Sequence, residues 1–216
     1  MGLDMFLYRA TKAQKKALDS LYEKENALEE KWGGVLSKNG LEDYYRKDED
    51  SFTDKQKKIL ADMRSEYDEN CDKIRAIKDE MNPADVGKDY NGGYIGYWRK
   101  FNALHAYIVN TFGGGVDECQ EIELSKQDIY MLLDVASRSK ELLGRCKKVV
   151  SEEYEGYYIF DIEVVDLPLK PQRGFFFGPQ EIDTWYEKQV NYSVELFKKI
   201  LNEWSDDQVV WYRASW

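Results

Sequence analysis

The sequence predicts an α+β fold: a small antiparallel or mixed sheet packed with helices, plus an inserted antiparallel helical hairpin. Three observations predict it. Strand-like stretches mark both chain ends, at residues 2–9, where apolar residues alternate, and at 208–213. Two long segments, 11–32 and 54–81, carry a helical period, and their apolar seams match when one is run backwards. Between 94 and 203, further helical and strand-like stretches are separated by Gly and Pro signals.

Residues 2–9 read as a strand, with Leu3, Met5 and Leu7 on one face and Asp4, Phe6 and Tyr8 on the other. In residues 11–32, Leu18, Leu21, Leu28 and Trp32 recur at spacings set by a helical turn. Ile59, Met63, Tyr67, Ile74, Ile77 and Met81 do so in 54–81. Run antiparallel, Leu18 faces Ile77, Leu21 faces Ile74, Leu28 faces Tyr67 and Trp32 faces Met63. Glu25 then faces Asn70, a polar step that fixes register in an apolar seam. Gly33-Gly34 is expected to end the first helix, and Thr53 or Asp54 to cap the second. The arms would be about 30 Å long at 1.5 Å per residue.

The remaining elements follow in order. Residues 82–93 are a linker rich in turn formers. A helix is expected over 94–112, stopped by Gly113-Gly114-Gly115. Ser125 with Asp128 three positions on opens another, running to about Val150. Residues 156–165 suit a strand, Pro168 and Pro171 mark a loop, and Gly174 to Gly178 reads as a short buried strand. A helix over 180–203 and a last strand over 208–213 complete the chain. The domain plan is therefore a core of 1–10 and 90–216, a hairpin of 11–81 and a linker of 82–93.

Composition narrows the function. The chain has 216 residues and a formal charge of −10, with no basic stripe to displace counterions from phosphates, so nucleic acid is not the expected partner. Anionic membranes are disfavoured on the same ground. No apolar run approaches the ~20 residues of a membrane span, and the first residues lack the pattern of a secretory leader. Three widely spaced cysteines and one histidine offer no zinc-ligand spacing, so no metal and no cofactor is expected, with a carboxylate-only Mg²⁺ or Ca²⁺ site the one arrangement left open. Reduced thiols fit a cytoplasmic location.

The chemically richest stretch is Tyr97 to His105. Read as a helix, it places Tyr97, Phe101, Leu104 and Ile108 on a core stripe. Trp98, Asn102 and His105 fall on another face, with Arg99 at its edge. Two arrangements fit that second face. One is a pocket wall, with Trp98 stacking on a ring, Asn102 and His105 fixing orientation and Arg99 pairing with phosphate. The other is a buried polar network. Arg173 with the Phe175-Phe176-Phe177 run, and Arg213 with Trp216 in the closing Trp-Tyr-Arg-Ala-Ser-Trp, are further candidates.

Met-Gly-Leu-Asp-Met at 1–5, Tyr97-Trp98-Arg99-Lys100 with Asn102 and His105, Gly174 to Gly178, and Tyr212-Arg213-Ala214-Ser215-Trp216 together resemble a family of small bacteriophage and prophage proteins. The resemblance covers 1–9 and roughly 94–216, and the hairpin looks like an insertion. Where the family continues from Gly178 with Ser and a Thr-Glu-Tyr-Asp type stretch, this chain has Pro179-Gln180-Glu181-Ile182-Asp183. The resemblance implies an anti-defence protein acting in the bacterial host cytoplasm, and by analogy one that sequesters a nucleotide-derived immune signal of the cyclic ADP-ribose or cyclic nucleotide type. The ligand-binding residues expected on that reading are Trp98, Arg99, Asn102, His105, Arg173, Phe176, Arg213 and Trp216. Two alternatives stand beside it: an enzyme that cleaves such a nucleotide with His105 as acid or base, and an inhibitor that binds a host protein. Homo-oligomerisation through the hairpin is a further expectation.

Overall fold

The computed structural model describes residues 2–82, 92–150, 155–163, 166–173 and 180–216. The expected Gly174–Gly178 strand, including Phe176, and most of the 82–93 linker lie outside the described residues. The chain is α+β and divides into two compact units, Met1–Arg9 with Tyr94–Trp216, and Ala10–Gly93.

In the first unit, β1 (Asp4–Thr11), β2 (Tyr94–Arg99), β3 (Ile122–Leu124) and β6 (Gln208–Ser215) form a sheet of order β2-β1-β6-β3. β1 pairs antiparallel with β2, placing Asp4 opposite Arg99, Met5 opposite Trp98 and Phe6 opposite Tyr97. A bulge follows, after which Tyr8 faces Tyr94. β3 pairs antiparallel with β6. Three helices accompany the sheet: α3 (Asn102–Phe112), α4 (Lys126–Arg145) and α5 (Thr184–Asn202). A separate two-stranded ribbon joins β4 (Lys148–Val150) to β5 (Tyr158–Phe160).

One sheet face is the core. Leu3 just before β1, Met5 and Leu7 of β1, Trp98 of β2, and Val210, Tyr212 and Ala214 of β6 are buried in one cluster with α3, α4 and α5. Gly96 is required there, because a Cβ on it would lie 2.4 Å from Leu196 of α5. α4 opens on the expected capping box of Ser125 and Asp128.

The expected helix over 94–112 is corrected in its first half: Tyr94–Arg99 is a strand. Its residues are mostly aromatic or β-branched, and β1 offers a matching edge. The chain turns at Lys100, whose φ is +57°, with its N–H donating to Leu3 O at 2.7 Å. The helix expected to reach Val150 ends at Arg145, and the 156–165 strand shrinks to Tyr158–Phe160. β3 was not anticipated, being only three residues long.

The second unit contains α1 (Lys12–Lys38) and α2 (Asp54–Met81). Each starts on a capping box, Thr11 with Gln14 and Thr53 with Gln56. They lie antiparallel: Trp32 Nε1 donates to Glu66, and Gln56 Nε2 donates to Asn39 O. Asn70 is buried in the seam, but its amide donates to Leu21 O at 3.1 Å rather than meeting Glu25. Gly33-Gly34 does not stop α1. Two helical glycines cost about 1 kcal/mol each against alanine, offset here by the tip cluster of Trp32, Leu41, Leu60 and Met63, against which Val35 and Leu36 pack. The helix ends at Lys38, and Gly40 just beyond it, with φ of +66°, reverses the chain so that Leu41 N–H donates back to Leu36 O.

Candidate functional site

The sequence-predicted residues separate into two groups. Trp98, Asn102 and His105 are all interior. Trp98 is 1% exposed, its indole N–H donates to Ser193 Oγ at 2.9 Å, and its ring packs against Phe197 and Tyr192. It therefore offers no ring face for a ligand to stack on. Asn102, at the first turn of α3, accepts from Gln172 N–H at 3.1 Å. His105, one turn on, is 2% exposed. Its Nδ1 lies 2.7 Å from Tyr212 Oη and its Nε2 lies 2.9 Å from Asp117 Oδ2. A carboxylate only accepts, so Nε2 carries the proton and Nδ1 accepts from the Tyr212 hydroxyl. Asp117 also accepts from the Trp216 indole N–H, through Oδ1 at 3.2 Å.

The polar face of α3 is thus a hub. Asn102 accepts from the loop residue Gln172, while His105 and Asp117 hold the last strand and Trp216. Among the described residues, the first and last of the candidate stretches are thus tied together by hydrogen bonds, of which the His105–Tyr212 contact is buried. Burial pushes the Tyr212 hydroxyl well above its ordinary range, and the Asp117 carboxylate pushes in the same direction. With both His105 nitrogens engaged and the ring buried, an acid or base role for His105 finds no geometric support.

Arg99, Arg173, Arg213 and Trp216 are exposed. Arg173 Nε donates to Gln180 Oε1 at 3.4 Å. Arg99 and Arg213 belong elsewhere. Because successive strand residues point to opposite faces, Arg99 shares a face with Tyr97, and Arg213 with Trp211. That is the second face of the sheet, opposite the one that packs on the helices.

An aromatic series covers this second face. Phe6 lies 5.4 Å from both Tyr94 and Tyr97, ring centroid to centroid, and Tyr94 lies 5.8 Å from Tyr97. Tyr8 stacks on Trp211 at 5.2 Å and 11°. Tyr8 and Trp211 are buried, whereas Phe6, Tyr94 and Tyr97 are half-buried. At the end of the series the Tyr97 hydroxyl donates to Asp4 Oδ1, and Arg99 Nη1 lies 3.9 Å from the same oxygen. Burial and then the Asp4 carboxylate raise the Tyr97 hydroxyl above its ordinary range, while Arg99 pulls the other way. The Arg99 side chain remains 57% exposed.

Of these residues the sequence reading singles out Arg99 but not Asp4, Phe6, Tyr94 or Tyr97, because the 97–99 segment reads equally well as a helix. Strand alternation supplies the missing signal: with Tyr94–Arg99 paired to β1, Asp4, Phe6 and Tyr8 share a face with Tyr97 and Arg99. Elsewhere in the unit, an open groove of about 540 Å³ is lined by Leu142, Cys146, Phe160, Asp161, Ile162 and Glu163, among others. It holds none of the sequence-predicted residues. Among the described residues no group of His, Cys, Asp and Glu is arranged to hold a metal ion, and no helix is long and apolar enough to cross a membrane. Comparison with family models, curated proteins and solved structures finds no match to this chain.

Proposed function

We propose that this protein binds a nucleotide-derived signalling molecule and sequesters it without turnover, using the second face of the sheet. The observation that carries this reading is the half-buried series Tyr97, Phe6 and Tyr94, ending at an exposed Arg99. Aromatic faces stack on a base, and a guanidinium pairs with phosphate in a planar, charge-assisted geometry. Arg213 adds a second cation on the same face. The stacking role assigned to Trp98 in the sequence passes to Tyr97 and Phe6. The family resemblance places such a protein in phage anti-defence within the bacterial cytoplasm, against cyclic ADP-ribose or cyclic nucleotide signals. A net charge of −10 suits a small ligand met by two or three arginines better than a polynucleotide.

The test is capture and release. Purified protein is incubated with extract from bacteria whose nucleotide-signalling immunity has been triggered, washed, heat-denatured, and the released small molecules are identified by mass spectrometry. The expected result is one intact nucleotide from the wild type and none from Tyr97→Ala or Arg99→Ala. Loss of the signal with accumulation of its fragments would mean turnover instead. An empty protein beside undiminished signal would end the nucleotide reading.

A further inference from the structure

We infer that Asp4 makes this face selective for ribonucleotides over 2′-deoxyribonucleotides, by accepting a hydrogen bond from the ribose 2′-hydroxyl. The inference rests on the nucleotide reading above and adds a sugar specificity to it. Asp4 is the one carboxylate among the second-face residues of β1 and β2, directly opposite Arg99 and next to Phe6 across the pleat. Its side chain is 29% exposed, so it is partly shielded yet reachable.

The two carboxylate oxygens are not equivalent. Oδ1 accepts from the Tyr97 hydroxyl and is the oxygen nearest Arg99. Among the described residues no donor reaches Oδ2. The Tyr97 contact fixes the carboxylate plane beside the ring that would carry the base. What remains is a single oriented acceptor at the edge of an aromatic platform, with a guanidinium beside it. That combination fits a hydroxyl adjacent to a stacked base, with phosphate reaching Arg99. It fits a guanine edge less well, because reading N1–H and N2–H together takes two free carboxylate oxygens. Carboxylates elsewhere bind ribose hydroxyls in the same way.

A site that accepts a hydrogen bond from a ligand hydroxyl is left with a desolvated, unpaired acceptor when that hydroxyl is missing. The discrimination should therefore be large. Isothermal titration with ADP and 2′-deoxy-ADP measures it. The wild type is expected to bind ADP about tenfold or more tightly than 2′-deoxy-ADP. Asp4→Asn keeps an oxygen for the Tyr97 hydroxyl and replaces the second acceptor with a donor. It should abolish the preference, so that ADP and 2′-deoxy-ADP bind alike. Equal wild-type affinities for the two nucleotides would overturn the Asp4 role while leaving the platform intact. Binding of neither would overturn the platform itself, and the selectivity with it. The wild-type comparison needs no variant, so a folding defect in Asp4→Asn cannot mask the answer.

Discussion

The two faces of the four-stranded sheet part company around Phe6, Tyr97 and Arg99, although Tyr8 and Trp211 are buried on the second face as Trp98 and Tyr212 are on the first. On the helix-packed face, Trp98 and Tyr212 are buried, and each polar atom finds a protein partner: Ser193 for the indole, His105 for the phenol. On the second face, Tyr97 and Phe6 are only half-buried, and Arg99 keeps most of its surface in water. Adjacent residues of one motif, Tyr97, Trp98 and Arg99, are divided between the faces by the pleat. The difference teaches where affinity can reside. A fully satisfied, buried network specifies a fold, whereas a half-buried aromatic beside an unsaturated cation retains something to give a ligand.

The strongest way to break this comparison is Trp98→Ala. Removing a fully buried indole from the core should cost about 3–5 kcal/mol of stability. Chemical denaturation measures it. A loss below about 1 kcal/mol would mean that Trp98 is not the interior side chain described here.

Tyr212→Phe comes next. It deletes the hydroxyl that meets His105 Nδ1 inside the protein, at a cost of about 1–3 kcal/mol. The same variant sharpens the contrast at alkaline pH. The folded-state pKa of Tyr212 is raised by burial. A tyrosine raised in this way contributes stability below its unfolded pKa of about 10, and that contribution is lost as pH climbs from there towards the folded value. Stability should thus fall above about pH 10, and Tyr212→Phe should flatten that fall more than Tyr97→Phe does. Equal flattening by the two variants would contradict the asymmetry between the faces.

The smallest stability effect is expected at Arg99→Ala. An exposed side chain whose ion pair with Asp4 spans 3.9 Å should change stability by about 0.5 kcal/mol or less. Thermal unfolding reads this directly, and a drop comparable with that of Tyr212→Phe would place Arg99 in the fold rather than at a site.

How far the sequence reached can be argued from particular residues. The hairpin was legible because a seam repeated over many turns leaves little room for another period. The Thr53 cap of α2 and the Ser125 cap of α4 were legible too. The alternation of Leu3, Met5 and Leu7 against Asp4, Phe6 and Tyr8 gave β1 both of its faces. The strand at Tyr94–Arg99 was not legible, because six residues fit either period and Phe101, Leu104 and Ile108 extend a helical stripe backwards through Tyr97. That one local ambiguity put Trp98 on the pocket wall and Tyr97 on the core stripe, whereas Trp98 is buried against the helices and Tyr97 lies half-buried on the other sheet face. The partners of His105 were equally out of reach. Asp117 is twelve residues away in a loop and Tyr212 more than a hundred, so only the tertiary fold brings them together.

The most direct test of the account compares one residue from each face. Titrating ADP into Tyr97→Ala and Asn102→Ala, with folding of each verified by circular dichroism, sets the second face against the buried hub. The account predicts that Tyr97→Ala loses about tenfold or more in affinity, while Asn102→Ala is less stable but binds as the wild type does. Affinity lost in Asn102→Ala and kept in Tyr97→Ala would contradict it and return the site to the helix-packed face.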